Sequence, residues 1–199
     1  MEIKIWFKIV VIKNKKMKKN NIIYGILFMV LALSSCIKND DILIKENLVE
    51  FDAATFNANG LTKLYPVVRQ VPPYGFAILT TSPLISRTSG TIEFRVNVIG
   101  PQTAADRQIT YKVVTGETFT QTITGVSRTA VSAVRGTDFT TSGTVTIPAN
   151  SSFGTLRVSI ADPGVALVND LLIVLELEGN AELKPSNADK QIGIWINRG

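Results

Sequence analysis

The stretch GTIEFRVNVIG, residues 90–100, constrains the fold more than any other part of the sequence, because its apolar residues recur at every second position. Four apolar residues alternate with four polar ones: Ile92, Phe94, Val96 and Val98 with Thr91, Glu93, Arg95 and Asn97. Period two is the repeat of a β-strand, whose successive side chains point to opposite faces of a sheet. The pattern therefore predicts a half-buried strand.

The remainder of the chain after residue 47 also has the pattern of short strands separated by turn signals. Further strands are predicted over residues 48–52, 64–69, 108–115, 118–124, 144–148, 154–160, 171–177 and 190–197. Many short strands at roughly ten-residue spacing, without a helical period, predict one all-β, immunoglobulin-like sandwich over residues 48–199. The least strand-like segment, 71–90, has three prolines, and a loop of this length is usually functional or folds back over the body.

The single cysteine, Cys36, follows a segment with the parts of a bacterial secretory signal. A lysine-rich patch at 15–19 precedes an uncharged apolar run of 12 residues, 22–33, and two serines stand just before the cysteine. The apolar run is shorter than the about 20 residues that a membrane span needs. We therefore predict a signal peptide over residues 1–35, with Met17 as the true start and residues 1–16 as a mis-called extension.

The sequence Leu-Ser-Ser-Cys at 33–36 resembles the lipobox of bacterial lipoproteins. The resemblance implies cleavage before Cys36 and acylation of its thiol and new amino group, as with palmitate. Residues 36–47 would then be a lipidated tether to the outer membrane, held durably because each buried CH₂ contributes about 0.8 kcal/mol. The alternatives are a plain signal peptide with a chance cysteine and an ordinary transmembrane anchor.

The residues that follow the cysteine are Ile37, Lys38, Asn39, Asp40 and Asp41. Lys38 with Asp40 and Asp41 resembles the lysine-plus-acidic export tag of surface lipoproteins of the Bacteroidota. The resemblance implies that the anchored protein faces the cell exterior. The alternative is an ordinary solvated linker, which would also be polar.

The basic character of the chain, with a formal charge of +5, comes from the predicted signal. Residues 1–35 hold seven lysines and one glutamate, which leaves 14 basic and 15 acidic residues in 36–199. That balance gives no case for nucleic-acid binding.

The chain has no histidine, which excludes Ser-His-Asp and Cys-His catalysis. Glu176 and Glu178 share a strand face and are more simply solvated than paired for hydrolysis, so we expect no enzyme and no cofactor.

Residues 135–160, RGTDFTTSGTVTIPANSSFGTLRVSI, resemble the Calx-beta type of immunoglobulin-like domain. The resemblance rests on a Gly-x-Asp-aromatic step and on the apolar residues of two following strands: Gly136, Asp138, Phe139, Val145, Ile147, Leu156, Val158 and Ile160. It extends over residues 91–197. It implies a β-sandwich of a kind that is frequent in surface lipoproteins of the Bacteroidota, where many such domains have no known function.

Calcium-binding members of this family place several acidic residues in the loop before the last-but-one strand. The matching loop here offers Asp162, Asn169 and Asp170, and Asp138 could add one ligand, whereas calcium takes about six to eight oxygens. Aspartates beside glycine and proline commonly cap turns through their own side chains. We therefore expect no bound metal, with these three aspartates as the weak candidates.

Five residues form a candidate binding patch. Leu172 and Val174 make the second face of their strand apolar, and Trp195 stands out of phase with the isoleucines around it. If the last two strands pair, these three lie together on the outside, where they could dock a protein or a sugar ring. Alternatively, the N-terminal strand or segment 71–90 covers them. Tyr74 and Phe76 are further aromatic contacts or, alternatively, a plug at one end of the sandwich.

Taken together, these features predict a non-catalytic surface lipoprotein, an accessory interaction or glycan-binding module of an outer-membrane assembly. The protein or glycan partner is not named by the sequence. A calcium-binding, adhesion-like module is the alternative, and a carboxylate hydrolase ranks third.

Overall fold

Alternating apolar residues form β-strands along most of the chain that the computed structural model describes, which is residues 46–52, 61–62, 64–162, 164–166 and 168–197. These residues belong to the compact unit Ile44–Gly199, and the other unit, Met1–Leu43, lies outside them. The strands are β1 Leu48–Phe51, β2 Leu61–Thr62, β3 Pro66–Val68, β4 Thr91–Ile99, β5 Arg107–Val114, β6 Thr118–Ile123, β7 Val126–Ser132, β8 Phe139–Thr140, β9 Thr144–Ile147, β10 Phe153–Ile160, β11 Asp170–Gly179, β12 Lys184–Pro185 and β13 Gln191–Ile196. A short 3-10 helix, one turn long, spans Arg87–Ser89.

Two sheets form the sandwich, so the predicted all-β fold is confirmed. The five-stranded sheet has the order β12-β1-β4-β10-β8, and the eight-stranded sheet contains the path β2-β3-β13-β11-β5-β9. The hairpin β6–β7 joins the second sheet where β7 pairs in parallel with the start of β11. Each predicted strand corresponds to one of these elements, whereas β7 and the short strands β2, β8 and β12 were not predicted.

The main core lies between the sheets and is built by the apolar faces that the period of two predicted. In β4 every second residue is buried, from Ile92 to Val98. These side chains join others from both sheets, among them Phe51, Leu156, Val158, Ile173, Leu175, Ile192, Ile194 and Ile196. In most strands, therefore, only one face is apolar, and that face is buried in the main core.

Strand β11 differs, because it is apolar on both faces and both are covered. Its second face belongs to a smaller core on the far side of the eight-stranded sheet, made of Tyr65, Val67, Ala130, Leu172, Val174 and Trp195. Gly193 of β13 leaves room there, since a Cβ at this position would lie 3.0 Å from the ring of Tyr65. The sandwich thus carries a third, partial layer.

The hairpin β6–β7 supplies much of this layer. Its two-residue turn, Thr124 and Gly125, has positive φ at both positions, 47° and 80°, as the tight turns that match strand twist require. Phe119 pairs with Ala130 across the hairpin, and Phe119 and Ile123 pack against the smaller core. The hairpin therefore closes the face that β11 and β13 leave apolar.

Segment 71–90 closes one end of the sandwich. Its two ends form a short ladder in which the N–H of Val71 donates to Pro83 O at 2.8 Å and that of Ile85 to Arg69 O at 2.8 Å. Ile78 and Ile85 are buried in the main core. The segment therefore folds back over the body, one of the two alternatives expected for it, and these two isoleucines form the plug.

Candidate functional site

The structure divides the predicted binding patch into a buried part and an exposed part. The last two strands pair as expected, with Leu172 opposite Trp195. However, Leu172, Val174 and Trp195 are almost fully buried, so they form no binding surface. The reason is the hairpin: the ring of Phe119 meets Trp195 edge-on, with centroids 5.8 Å apart. The cover is the hairpin together with Tyr65 and β3, and not the elements that we expected.

A buried carboxylate organises this smaller core. Asp170 accepts a hydrogen bond from Trp195 Nε1 at 2.9 Å and one from Arg128 Nη2 at 2.6 Å. The guanidinium of Arg69 lies 5.9 Å from the Trp195 ring centre, within the range of a cation–π contact. Burial and the nearby charge of Arg128 lower the pKa of Arg69, and Asp170 opposes that shift. These groups hold the layer together, and a small cavity of about 150 Å³ lies beside Arg128 and Asp170.

The exposed part of the patch lies on segment 71–90. Tyr74 and Phe76 are 38% and 72% exposed, and two further large apolar residues of the segment, Leu79 and Leu84, are 61% and 49% exposed. We call these four residues the loop patch. Tyr74 and Phe76 are thus surface residues rather than the plug, and they lie apart from the buried three.

A groove of about 910 Å³ runs along β10 and β9, next to Tyr74. Phe153, Thr155 and Arg157 of β10 and Arg95 of β4 line it, with several serine and threonine hydroxyls of 140–151. The guanidinium of Arg95 stacks on the Phe153 ring, 4.5 Å from its centroid. No Asp or Glu is among the described residues that line the groove. The sequence did not predict this site, because its strand residues keep the period of two and its other residues lie in loops.

The candidate metal ligands do not converge. Asp138 binds Arg87 at 2.9 Å, and Asp162 accepts from the N–H of Gly164 at 2.9 Å, as in a turn cap. Asp170 serves the smaller core, as described above. Within the described ranges, no three His, Cys, Asp or Glu side chains come together as a metal site would require. Asp162 thus caps a turn, whereas Asp138 and Asp170 form ion pairs with arginines.

The predicted solvated carboxylates lie on the eight-stranded sheet. Glu176 is 3.5 Å and Glu178 is 4.0 Å from the ammonium of Lys112. On the other sheet, burial raises the pKa of Glu50, a hydrogen bond with Ser186 opposes the shift, and neighbouring acidic charges add to it. None of these carboxylates lines the groove.

Several predictions concern residues outside the described part of the chain. Cys36, the export tag of Lys38, Asp40 and Asp41, and the signal peptide all lie there and remain predictions. In the part that the structure does describe, no helix is long and apolar enough to cross a bilayer.

Comparison with known proteins yields similarity of fold. No family model matches the chain, and no curated protein matches it. The structure of CBD12 from CALX1.2 is similar at 19% identity and a TM-score of 0.39, over 56% of this chain and 40% of that one. A two-domain protein of unknown function from Bacteroides fragilis is similar at 10% identity and a TM-score of 0.46, over 92% and 51%.

A third structure, of unknown function and from Bacteroides ovatus, is similar at 12% identity and a TM-score of 0.47, over 76% of this chain and 52% of that one. The chain therefore spans about 40 to 52% of the length of these three chains. No residue's role is carried over from them. By its own geometry the protein is an all-β sandwich with an added hairpin layer.

Proposed function

We propose that the protein is a non-catalytic surface lipoprotein whose β-sandwich binds a protein or glycan partner within an outer-membrane assembly. The loop patch carries the proposal, because it places Tyr74, Phe76, Leu79 and Leu84 on one segment with 38 to 72% of each residue exposed. Large apolar side chains that are exposed on one segment are candidates for an interaction site. The buried Ile78 holds the segment to the core beneath them.

The start of β1 and the last part of segment 71–90 lie at opposite ends of β4. Leu48, where β1 begins, pairs with Ile99 at the end of β4, whereas segment 71–90 leads into the start of β4 at Thr91. The nine residues of β4 separate these two ends by about 30 Å. The last part of segment 71–90 therefore lies at the end of β4 away from the start of β1, whereas Tyr74 reaches back along the sheet, where its hydroxyl lies 3.4 Å from Gly154 O.

Photo-crosslinking on intact cells tests the loop patch. We expect a benzophenone amino acid in place of Phe76 to form a specific adduct with a protein or a polysaccharide, because benzophenone inserts into nearby C–H bonds. The same amino acid in place of Val134, which is exposed elsewhere on the sandwich, is the matched control and should give none. Absence of an adduct from both positions, or equal adducts from both, would contradict the proposal.

Cell fractionation tests the anchor. We expect Cys36→Ala to release the protein from membranes, because the acylated thiol is the proposed attachment. Replacement of both Asp40 and Asp41 by alanine should leave the protein membrane-bound but protected from added protease. Full protease accessibility of the double variant would rule out the export tag, and membrane retention of Cys36→Ala would rule out the lipid anchor.

A further inference from the structure

We propose that the groove along β10 binds an acidic saccharide, one that bears carboxylate or sulfate groups. This inference deepens the proposed function, on which it rests, by naming the ligand class and a second contact surface beside the loop patch. Three features of the groove lead to it: its charged groups, its aromatic rings and the way its backbone edges are closed.

The charged groups that line the groove are cationic. Arg95 binds Asp52 through Nε, and Arg157 binds Glu93 through Nε at 2.7 Å, whereas neither of these carboxylates is part of the lining. A guanidinium has five N–H donors, so each arginine keeps donors for a ligand. The lining residues that the structure describes thus include two cations and no carboxylate. This composition favours an anionic ligand, since charge-assisted hydrogen bonds are about twice as strong as neutral ones.

The aromatic rings supply apolar contact of the size of a sugar ring. Phe153 is 44% exposed, and the Arg95 guanidinium stacks on it and fixes its position. The Tyr74 hydroxyl lies 3.0 Å from Thr155 Oγ1, which ties the loop to β10 at the rim of the groove. An exposed ring beside fixed hydroxyls and cations can contact both the apolar and the polar sides of a pyranose.

The backbone edges of the groove argue against an added peptide strand. Ser151 Oγ accepts from the N–H of Phe153 at 3.0 Å and donates to its carbonyl at 2.9 Å, and Thr141 Oγ1 donates to Arg157 O at 2.8 Å. On β9, Ser142 Oγ accepts from the N–H of Thr144 and donates to its carbonyl. A peptide that extends a sheet needs such groups free. Because side chains already occupy them, the groove favours a ligand that binds to side chains.

Calorimetry on the detergent-solubilised full chain tests the inference with two defined probes. We expect a galacturonate hexasaccharide to bind and a neutral galactose hexasaccharide to bind much more weakly. Arg157→Ala should weaken galacturonate binding about tenfold, the effect of one lost charge-assisted hydrogen bond. Phe153→Ala should weaken it by a similar factor. Both side chains are substantially exposed, so neither change should disturb folding.

Lys112→Ala is the matched control, because it also removes an exposed cation with a glutamate partner, on the other sheet. It should leave the affinity unchanged. Three outcomes would overturn the inference. The two hexasaccharides could bind equally well, or Lys112→Ala could weaken binding as much as Arg157→Ala does. A strand-forming threonine-valine decapeptide could also bind in their place. If galacturonate does not bind while Phe76 still gives its adduct, the groove proposal fails and the proposed function stands.

Discussion

Replacement of Trp195 by alanine is expected to lower the free energy of unfolding by about 3 to 5 kcal/mol. The side chain is fully buried, and no other residue of the smaller core is as large. Its loss would open a cavity between β11, β13 and the hairpin. It would also remove the indole N–H from Asp170 and the ring from beside Arg69. Urea denaturation followed by circular dichroism measures the change.

Two further variants separate the causes. Phe153→Ala removes an aromatic ring that is 44% exposed, and it should change the free energy of unfolding by less than about 1 kcal/mol. Trp195→Phe keeps most of the ring volume but removes the N–H donor, so it should cost about 1 to 3 kcal/mol. A loss below about 1 kcal/mol for Trp195→Ala would mean that the hairpin does not cover the ring.

The placement of Trp195 shows how far the strand period reaches. Its position out of phase with Ile194 and Ile196 correctly predicted the face opposite the main core, and the paired strands correctly predicted Leu172 as its neighbour. What covers that face was not predictable from the period, because the cover comes from a hairpin some 65 to 75 residues earlier in the chain. Packing between segments this far apart in the chain produces no pattern within the strand that is covered.

The hairpin itself left a signal that our sequence analysis did not use. Thr124 and Gly125 stand between the threonine-rich strand TFTQTI and the strand VSRTAVS. A two-residue turn with glycine at its second position is typical of tight hairpins. Phe119, Ile123 and Ala130 would then fall on one face. Since only β6 was predicted, the hairpin was not among the elements expected to cover the patch, which were the N-terminal strand and segment 71–90.

Neither the burial pattern of segment 71–90 nor the groove could be predicted from the sequence, and the reasons differ. The segment has no period, so nothing distinguished Ile78, which is buried, from Phe76 and Leu79, which are exposed. At the edges of the groove, Ser142 and Ser151 each donate a hydrogen bond to the carbonyl of the residue two positions later. Such contacts between a side chain and the backbone arise in loops, where the strand period gives no information.

Replacement of Asp170 by alanine is expected to lower the free energy of unfolding by about 3 to 5 kcal/mol, the usual cost of removing one partner of a buried ion pair. Only 1% of its side chain is exposed, and it holds both Arg128 and Trp195. The change would leave the Arg128 charge and the indole N–H without this acceptor in the smaller core. Urea denaturation of the variant measures the loss.

Asp162→Ala is the matched control, because Asp162 is exposed and accepts one hydrogen bond within a turn, so its loss should cost about 1 kcal/mol or less. A double-mutant cycle then identifies the cause of the Asp170 effect. If the unpaired Arg128 charge dominates, Arg128→Met combined with Asp170→Ala should cost about 0.5 to 3 kcal/mol less than the sum of the single changes. Strict additivity would contradict the ion pair as the source of stability. In that case Asp170 would act mainly through Trp195. A double-mutant cycle between Asp170→Ala and Trp195→Phe should then show the non-additive free energy of unfolding instead.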